Sequence, residues 1–385
     1  MSRTSSPFDF ILPTEIKYGE GSIAGIPGIL KGRNIESVLL VTDPVIGEQP
    51  FTRRLLDDLS RAHVRVEVFD RVEPNPKDYN VMEAARAAVD AEAKGFIALG
   101  GGSPIDCAKA AAVVAASGGE VRDYEDRSKI KGNMLPLYTI PTTAGTGSEV
   151  TFSSVITDTT EHFKFTVKSP LMAPVTAFID PLLTHSMPPM LTAATGLDAL
   201  THAIEAYTAR NANPLSDAAA LHAVELISRS IVRAVKEPGN SEARDDMMTG
   251  SLLAGIAFSH SDVAAVHCIA EALGGKYDTP HGVCNAVTLP AIMEYNLYYA
   301  VVRYARIARA MGLSFGNEEE GARLAVERVK HLVKETGLPE FRSFGVREED
   351  LEKIAENSAR NGSNADNPRP MAAEDYLEVL RRLLG

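Results

Sequence analysis

Cysteine is scarce in this 385-residue chain: Cys107, Cys268 and Cys284 are too few and too widely spaced for a disulfide framework or a Cys-x-x-Cys metal knuckle. Each is expected to be a buried, inert thiol. No run of eighteen or more apolar residues is present, so no membrane-spanning helix is expected. The stretch Met1-Ser-Arg-Thr-Ser-Ser-Pro-Phe8 lacks the apolar centre of a secretory signal, and a cytoplasmic location is the expectation. Positive charge is also short. Thirty-nine Lys and Arg against 51 Asp and Glu leave a formal charge of −12 with no basic cluster, which argues against nucleic acid or an anionic membrane surface as a partner. Small molecules are the expected partners. Internal repeats and low-complexity segments are absent as well. What remains is ordinary globular composition, 45% hydrophobic and 23% charged, at a length that suggests two or perhaps three domains.

From about residue 37 to 180, short β-rich runs alternate with helical patterns such as Met82 to Glu92. The runs are Ser37–Asp43, Val64–Asp70, Gly95–Gly100, Leu135–Ile140 and Val175–Asp180. This alternation predicts βαβ units and a buried, mostly parallel sheet, an architecture suited to nucleotides. After Pro188-Pro189 the texture changes to long stretches rich in Ala, Leu and Glu, with helix stops expected at Gly239 and Gly274-Gly275. The expected organisation is an α/β domain over residues 1–188 and an all-helical domain over 189–385. A polar loop is expected over Asn357–Arg369 before a last helix, Ala372–Leu384.

The strand ending at Leu99 runs into Gly100-Gly-Gly-Ser-Pro-Ile-Asp106 and then into an alanine-rich helix. Ser103 is placed to cap that helix, Pro104 to occupy its first position and Asp106 to cap reciprocally. Gly100, Gly101 and Gly102 let backbone approach a ligand, and free N–H groups at a helix start favour an anion such as a diphosphate. A plain glycine turn is the bland alternative, and the spacing is not Gly-x-Gly-x-x-Gly. A second polar loop, Pro141-Thr-Thr-Ala-Gly-Thr-Gly-Ser148, follows another strand, and two such loops imply a nucleotide crevice. Asp43, at the end of the first strand, suits the 2′ and 3′ hydroxyls of a nucleotide's ribose and would repel a 2′-phosphate; an Asx turn before Pro44 explains it equally well.

Asp198 and His202 stand at i and i+4 in a helix-forming stretch, one turn apart on one face. His267 lies in a second apolar helical run, Ser261–Leu273, and His281 follows the glycine pair in a loop. Three imidazoles and a carboxylate suit a borderline divalent ion, Fe(II) first, with Zn(II) or Mn(II) as alternatives, and leave room for a substrate oxygen. Core histidines and an intrahelical Asp–His pair are the structural alternative.

Five segments together resemble the iron-containing (group III) alcohol dehydrogenases over nearly the whole chain: Gly100–Asp106, Pro141–Glu149, Gly196–Tyr207, Gly274–Gly282 and Asn367-Pro-Arg369. The resemblance implies a metal held by Asp198, His202, His267 and His281. It further implies NAD(H) with its diphosphate at the Gly100–Ser103 turn near Asp106. Thr142, Thr143, Thr146, Ser148 and Thr151 would line the cleft, and Lys164 would reach the ribose. Relatives of this kind commonly place a second histidine four residues after the third ligand; this chain has Glu271 there, expected to be a hydrogen-bond partner of the site, a replacement base or a solvated residue. Ser153 and Ser363 stand at substrate positions where relatives that reduce lactaldehyde differ, and Phe258 matches an aromatic wall. The activity implied is reversible hydride transfer between NAD(H) and a small alcohol or aldehyde, in a homodimer or higher homo-oligomer. An exposed N-terminal strand within Phe8–Lys17 is the expected pairing edge. Two other functions stay open on sequence: a dehydroquinate synthase-like lyase using NAD and a metal, and a non-catalytic NAD- or metal-binding protein.

Overall fold

The computed structural model describes residues 7–132, 134–161 and 163–385. Eight strands form two sheets: β1 (Glu15–Tyr18), β2 (Ser37–Val41), β3 (Arg65–Phe69), β4 (Phe96–Gly100), β5 (Leu137–Pro141), β6 (Ser153–Asp158), β7 (Phe163–Lys168) and β8 (Thr176–Ile179). Six of them make a parallel sheet in the order β1-β8-β5-β4-β2-β3, while β6 and β7 pair as an antiparallel hairpin. Strands β2, β4, β5 and β8 are buried along their whole length, which is why they read as continuous apolar runs.

Alternation along the strands splits their side chains between two cores. Phe96 and Ala98 of β4 pack on one face with Ile105, Ala108 and Val81, and Ile97 and Leu99 pack on the other with Leu30, Leu55 and Phe178. The chain leaves β2 for β3 on one side and leaves β4 for β5 on the opposite side. Neighbouring β2 and β4 therefore straddle a topological switch point, the place where open α/β sheets bind ligands beyond their carboxyl ends.

From Pro189 onward the regular elements are helices. The helix Pro189–Thr208 is buried continuously from Gly196 to Thr208 and packs against its successors Pro214–Lys236, Ser241–Phe258 and His281–Asn296. Among the described residues no helix is long and apolar enough to cross a membrane.

Several local expectations differ from the structure. The helix after β4 spans Gly102–Ser117, with Gly101 as its N-cap residue and no side-chain cap, so Ser103 does not cap and Pro104 is its third residue. Asp106 instead turns its carboxylate across to the hairpin. The helix that carries His267 runs over Ala265–Tyr277 rather than starting at Ser261, because Asp262 takes a left-handed φ of 66° that interrupts helix. Gly274 and Gly275 lie inside that helix. A side chain at Gly274 would meet Lys164 Nζ at 2.9 Å, so the glycine accommodates a crossing lysine instead of ending the helix. His281 is the first residue of the helix His281–Asn296, not part of a loop. The polar stretch after Asn357 continues the helix Leu351–Arg360 and then forms a short 3₁₀ turn, Gly362–Asp366.

Candidate active site

The glycine turn is shaped by its neighbours. Gly100 has φ of 149°, and a Cβ there would lie 2.7 Å from Pro104 Cγ, so both backbone and space require glycine. Gly101 and Gly102 face the second loop: their missing Cβ atoms would meet Thr143 Oγ1 at 3.2 Å and Thr146 Cγ2 at 2.7 Å. The two loops are packed against each other at the ends of adjacent strands β4 and β5. Asp43 sits across the switch point, its Oδ2 3.5 Å from the Cβ position of Gly100, while its Oδ1 accepts from the N–H groups of Val45 and Ile46 at 2.9 Å each. The Asx cap is thus realised, with the second carboxylate oxygen left beside the turn.

Behind the turn lies a buried polar cluster. Lys109 donates to Ser148 Oγ, Thr151 Oγ1 and the Ser153 carbonyl at 2.9, 2.7 and 2.9 Å. Asp106 accepts from Ser148 Oγ at 2.6 Å and from the Val155 N–H at 2.9 Å. Burial lowers the Lys109 ammonium to about 8 against the opposing pull of Asp106, and burial raises the Asp106 carboxyl. Asp106, Ser148 and Thr151 therefore tie the glycine-turn helix to the hairpin and the threonine loop. Thr142 is buried with its hydroxyl unpartnered by protein.

A cleft of about 570 Å³ opens in front of these loops, lined by Gly102, Ser103, Asp106, Thr146, Ser148 and Thr151. Asp198, His202, His267 and His281 line the same cleft, as do Phe258, Glu271, Ser153 and Ser363. Lys164 of β7 also lines it and donates to Asn75 Oδ1 at 2.8 Å. Asp43, Gly100, Gly101, Thr142 and Thr143 are not among the lining residues.

In this cleft, ligand-type atoms of Asp198, His267 and His281 lie within 4.8 Å of one another. His202 stands next to this triad rather than inside the same limit; its ring is 4.5 Å from that of His267 and stacks on Phe258 at 4.4 Å. The helix Pro189–Thr208 supplies Asp198 and His202 from successive turns, as their i and i+4 spacing requires. Gly282 lets the His281 helix come close to it, since a Cβ there would be 2.6 Å from the Ala194 carbonyl.

The donor set fits a divalent cation. Burial lowers His202 to about 4 and His281 to about 3, so both rings are neutral near pH 7 and have lone pairs to offer. Burial works against the Asp198 charge, but the three surrounding histidines and Asn285 outweigh it and hold the carboxyl below its ordinary value. His281 Nε2 lies 3.9 Å from Asp198 Oδ1, so a ring nitrogen and a carboxylate oxygen face each other across a gap that a shared cation would bridge.

Two residues that sequence reasoning passed over complete the surroundings. Glu205 is buried and its Oε2 lies 2.5 Å from His267 Nδ1. Asn285, also buried, directs its amide nitrogen to Asp198 Oδ1, His267 Nε2 and His281 Nε2 at 2.6, 3.0 and 3.1 Å. Each was within reach of the spacing argument: Glu205 is seven residues after Asp198, and Asn285 four after His281, on the same helix faces. Glu271 is half-buried, and its hydrogen bond goes to Asn361 rather than to His267. It faces the cleft, its Oε2 accepting from Asn361 Nδ2 at 2.6 Å, and burial raises its carboxyl. Ser363 donates to Asp262 Oδ1 at 2.9 Å.

With this geometry in place, the comparisons are decisive. Residues 13–181 match the iron-containing alcohol dehydrogenase model and residues 192–384 match the C-terminal model of the same family. The chain belongs to the iron-containing alcohol dehydrogenase family. It is 38% identical to the 1,3-propanediol dehydrogenase of Citrobacter freundii over 380 residues, 97% of this chain and 98% of that one. A crystal structure of a 1,3-propanediol oxidoreductase superimposes with a TM-score of 0.94 at 36% identity, covering 98% of this chain and 100% of that one. The sulfoacetaldehyde reductase of Bifidobacterium kashiwanohense, solved in complex with NAD+, gives a TM-score of 0.90 at 29% identity, covering 99% and 100%. The chain is thereby an oxidoreductase with a parallel-sheet N-terminal part and a helical C-terminal part, and the lyase alternative is not favoured.

Proposed function

We propose that this oxidoreductase moves a hydride reversibly between NAD(H) and a small alcohol or aldehyde at a divalent ion, Fe(II) first, held by Asp198, His202, His267 and His281. The observation that carries this is the meeting of Asp198, His267 and His281 beside His202 in the cleft that Gly102 and Ser103 of the glycine turn also line. Residues 1–188 hold the cofactor in this account, and 189–385 hold the ion and substrate. Bound there, the ion and the nicotinamide supply Lewis acidity toward the reacting oxygen and a hydride acceptor or donor.

The chain's own residues do the rest. Gly100, Gly101, Gly102 and Ser103 present unhindered backbone to the diphosphate at the start of a helix. Thr142, Thr143, Thr146, Ser148 and Thr151 shape the facing loop, with Asp106 bracing it. Asp43 receives the adenosine ribose and disfavours a 2′-phosphate, and Lys164 serves the second ribose. Phe258 walls the substrate side and holds the His202 ring by stacking, while Ser153 and Ser363 border the space for the substrate chain. Glu271, raised by burial and held by Asn361, takes up or returns the proton at its carboxylate. A homodimer formed along the edge strand β1 agrees with its place at the end of the sheet.

The test is an NADH-linked assay over a panel of short aldehydes, diols and acidic aldehydes, with metal analysis of the same sample. Metal-stripped protein is expected to lose turnover and regain it with Fe(II). Turnover unchanged by stripping contradicts the proposal.

A further inference from the structure

The helix Ala265–Tyr277 has an N-terminus that its own sequence does not cap. Its N-cap residue is Ala264, which has no side-chain acceptor, so the first N–H groups must find partners elsewhere. They find Glu205 on the neighbouring helix. Glu205 Oε2 accepts from the Ala264 N–H at 2.9 Å, and Oε1 accepts from the Val266 N–H at 2.7 Å. The same Oε2 receives His267 Nδ1 at 2.5 Å. One carboxylate, 3% exposed, thus collects three donors and fixes both the helix and the ring that the helix carries.

We infer that Glu205 is a positioning residue for metal binding, holding His267 in the Nδ1–H tautomer with Nε2 bare and aimed at the ion; this rests on the metal reading of the site proposed above. An ionised carboxylate only accepts, so the ring atom facing it must carry the hydrogen. The opposite side of the ring agrees. Asn285 holds its amide nitrogen 3.0 Å from His267 Nε2 and 3.1 Å from His281 Nε2, and with one hydrogen given to Asp198 Oδ1 the other is free for a bare Nε2, which the Nδ1–H tautomer offers. Glu205 thus selects the tautomer, and Asn285 suits it. Glu205 also lies on the face of the helix Pro189–Thr208 that supplies Asp198 and His202, seven and three residues earlier. A single helix face thereby delivers two ligands and sets the orientation of a third.

Glu205→Gln separates positioning from capping. A glutamine has one acceptor oxygen and one donor nitrogen, and it cannot accept from Ala264 and Val266 while also accepting from His267. Its NH₂ lies either at the Oε2 position, where it faces His267 Nδ1 and reverses the tautomer, or at the Oε1 position, where it faces the Val266 N–H and leaves Nδ1 its acceptor; Glu205→Ala, which offers the ring no acceptor at all, is therefore read beside it.

The experiment titrates Zn²⁺ into metal-stripped wild type, Glu205→Gln, Glu205→Ala and His267→Ala against a chelating dye, with ¹⁵N spectra of the histidines and the melting temperature of each stripped protein. The expected result is Zn²⁺ affinity about 10–100-fold weaker in Glu205→Ala, with His267 no longer held as the Nδ1–H tautomer. Should Glu205→Ala melt lower yet keep wild-type affinity and tautomer, Glu205 is only a cap and the inference is overturned. If His267→Ala binds Zn²⁺ as tightly as wild type, the metal reading itself fails. Unfolding of either Glu205 variant is detected by its melting curve. The folded one is then the variant read, and unchanged affinity and tautomer in it overturn the inference.

Discussion

Glu271 faces the cleft and pairs with Asn361, and in the proposed function it handles the proton rather than supporting the metal. Glu205 already occupies the far side of the His267 ring. Glu271→Gln keeps a partner for Asn361 but cannot carry a proton, so turnover is expected to fall about 10²–10⁴-fold with a changed pH profile and normal metal content. Wild-type turnover and pH profile in that variant would leave the proton to water or the cofactor ribose. Asp43 faces the glycine turn with one oxygen while the other caps the next turn. Asp43→Gly is expected to narrow the gap between NADH and NADPH in kcat/KM, and to lose only about a few tenths of a kcal/mol of stability with the cap. Equal use of both cofactors by the unaltered enzyme would contradict the placement of Asp43 at the ribose.

Among the elements, the glycine turn and the threonine loop are positioned by contact rather than by composition alone. Gly100→Ala puts a Cβ 2.7 Å from Pro104 Cγ at a positive φ, so thermal unfolding should show a loss on the order of 1–3 kcal/mol, with a raised KM for NADH. Glu149, in the 3₁₀ turn closing the threonine loop, is 2% exposed with Oε1 unpartnered, and burial raises it to about 7, opposed by its own backbone N–H and Lys109. Its folded value is above the unfolded one, so the native state keeps a proton that the unfolded chain has released. Stability is lost as pH rises from about 4.5 toward about 7. Glu149→Gln removes that penalty, and its melting temperature relative to wild type should climb between about pH 5 and pH 8. A pH-independent difference would show that Glu149 is not desolvated as described.

These elements also mark the limit of what sequence made legible. Strands β2, β4, β5 and β8 announce themselves because burial on both faces demands unbroken apolar runs, the exposed edge strand β3 by its alternation, and Asp198 with His202 is visible because helical spacing is local. The hairpin β6–β7 was not foreseen: its half-polar strands face the cleft and resemble loop. Helix ends at Gly101, Ala265 and His281 were misplaced because tertiary partners, Thr146, Lys164, Ala194 and Glu205, override local capping signals. Glu205 and Asn285 stayed hidden for the same reason, since their meaning depends on which helices meet.

For the molecule as a whole, the proposed ion site draws its donors from three helices, Pro189–Thr208, Ala265–Tyr277 and His281–Asn296. A ligand bound only by the folded state stabilises it by mass action, about 2.7 kcal/mol at a concentration a hundredfold above Kd. Metal removal is therefore expected to lower the melting temperature, and scanning calorimetry with and without chelator checks it. A melting temperature indifferent to chelation would detach the ion from the fold. The most direct measurement is anomalous diffraction at the metal edge from crystals of the Fe(II)-loaded enzyme. The account predicts a single peak within about 2.0–2.3 Å of one oxygen of Asp198 and one ring nitrogen each of His202, His267 and His281. A peak elsewhere, or one that leaves His202 outside the coordination shell, would contradict it.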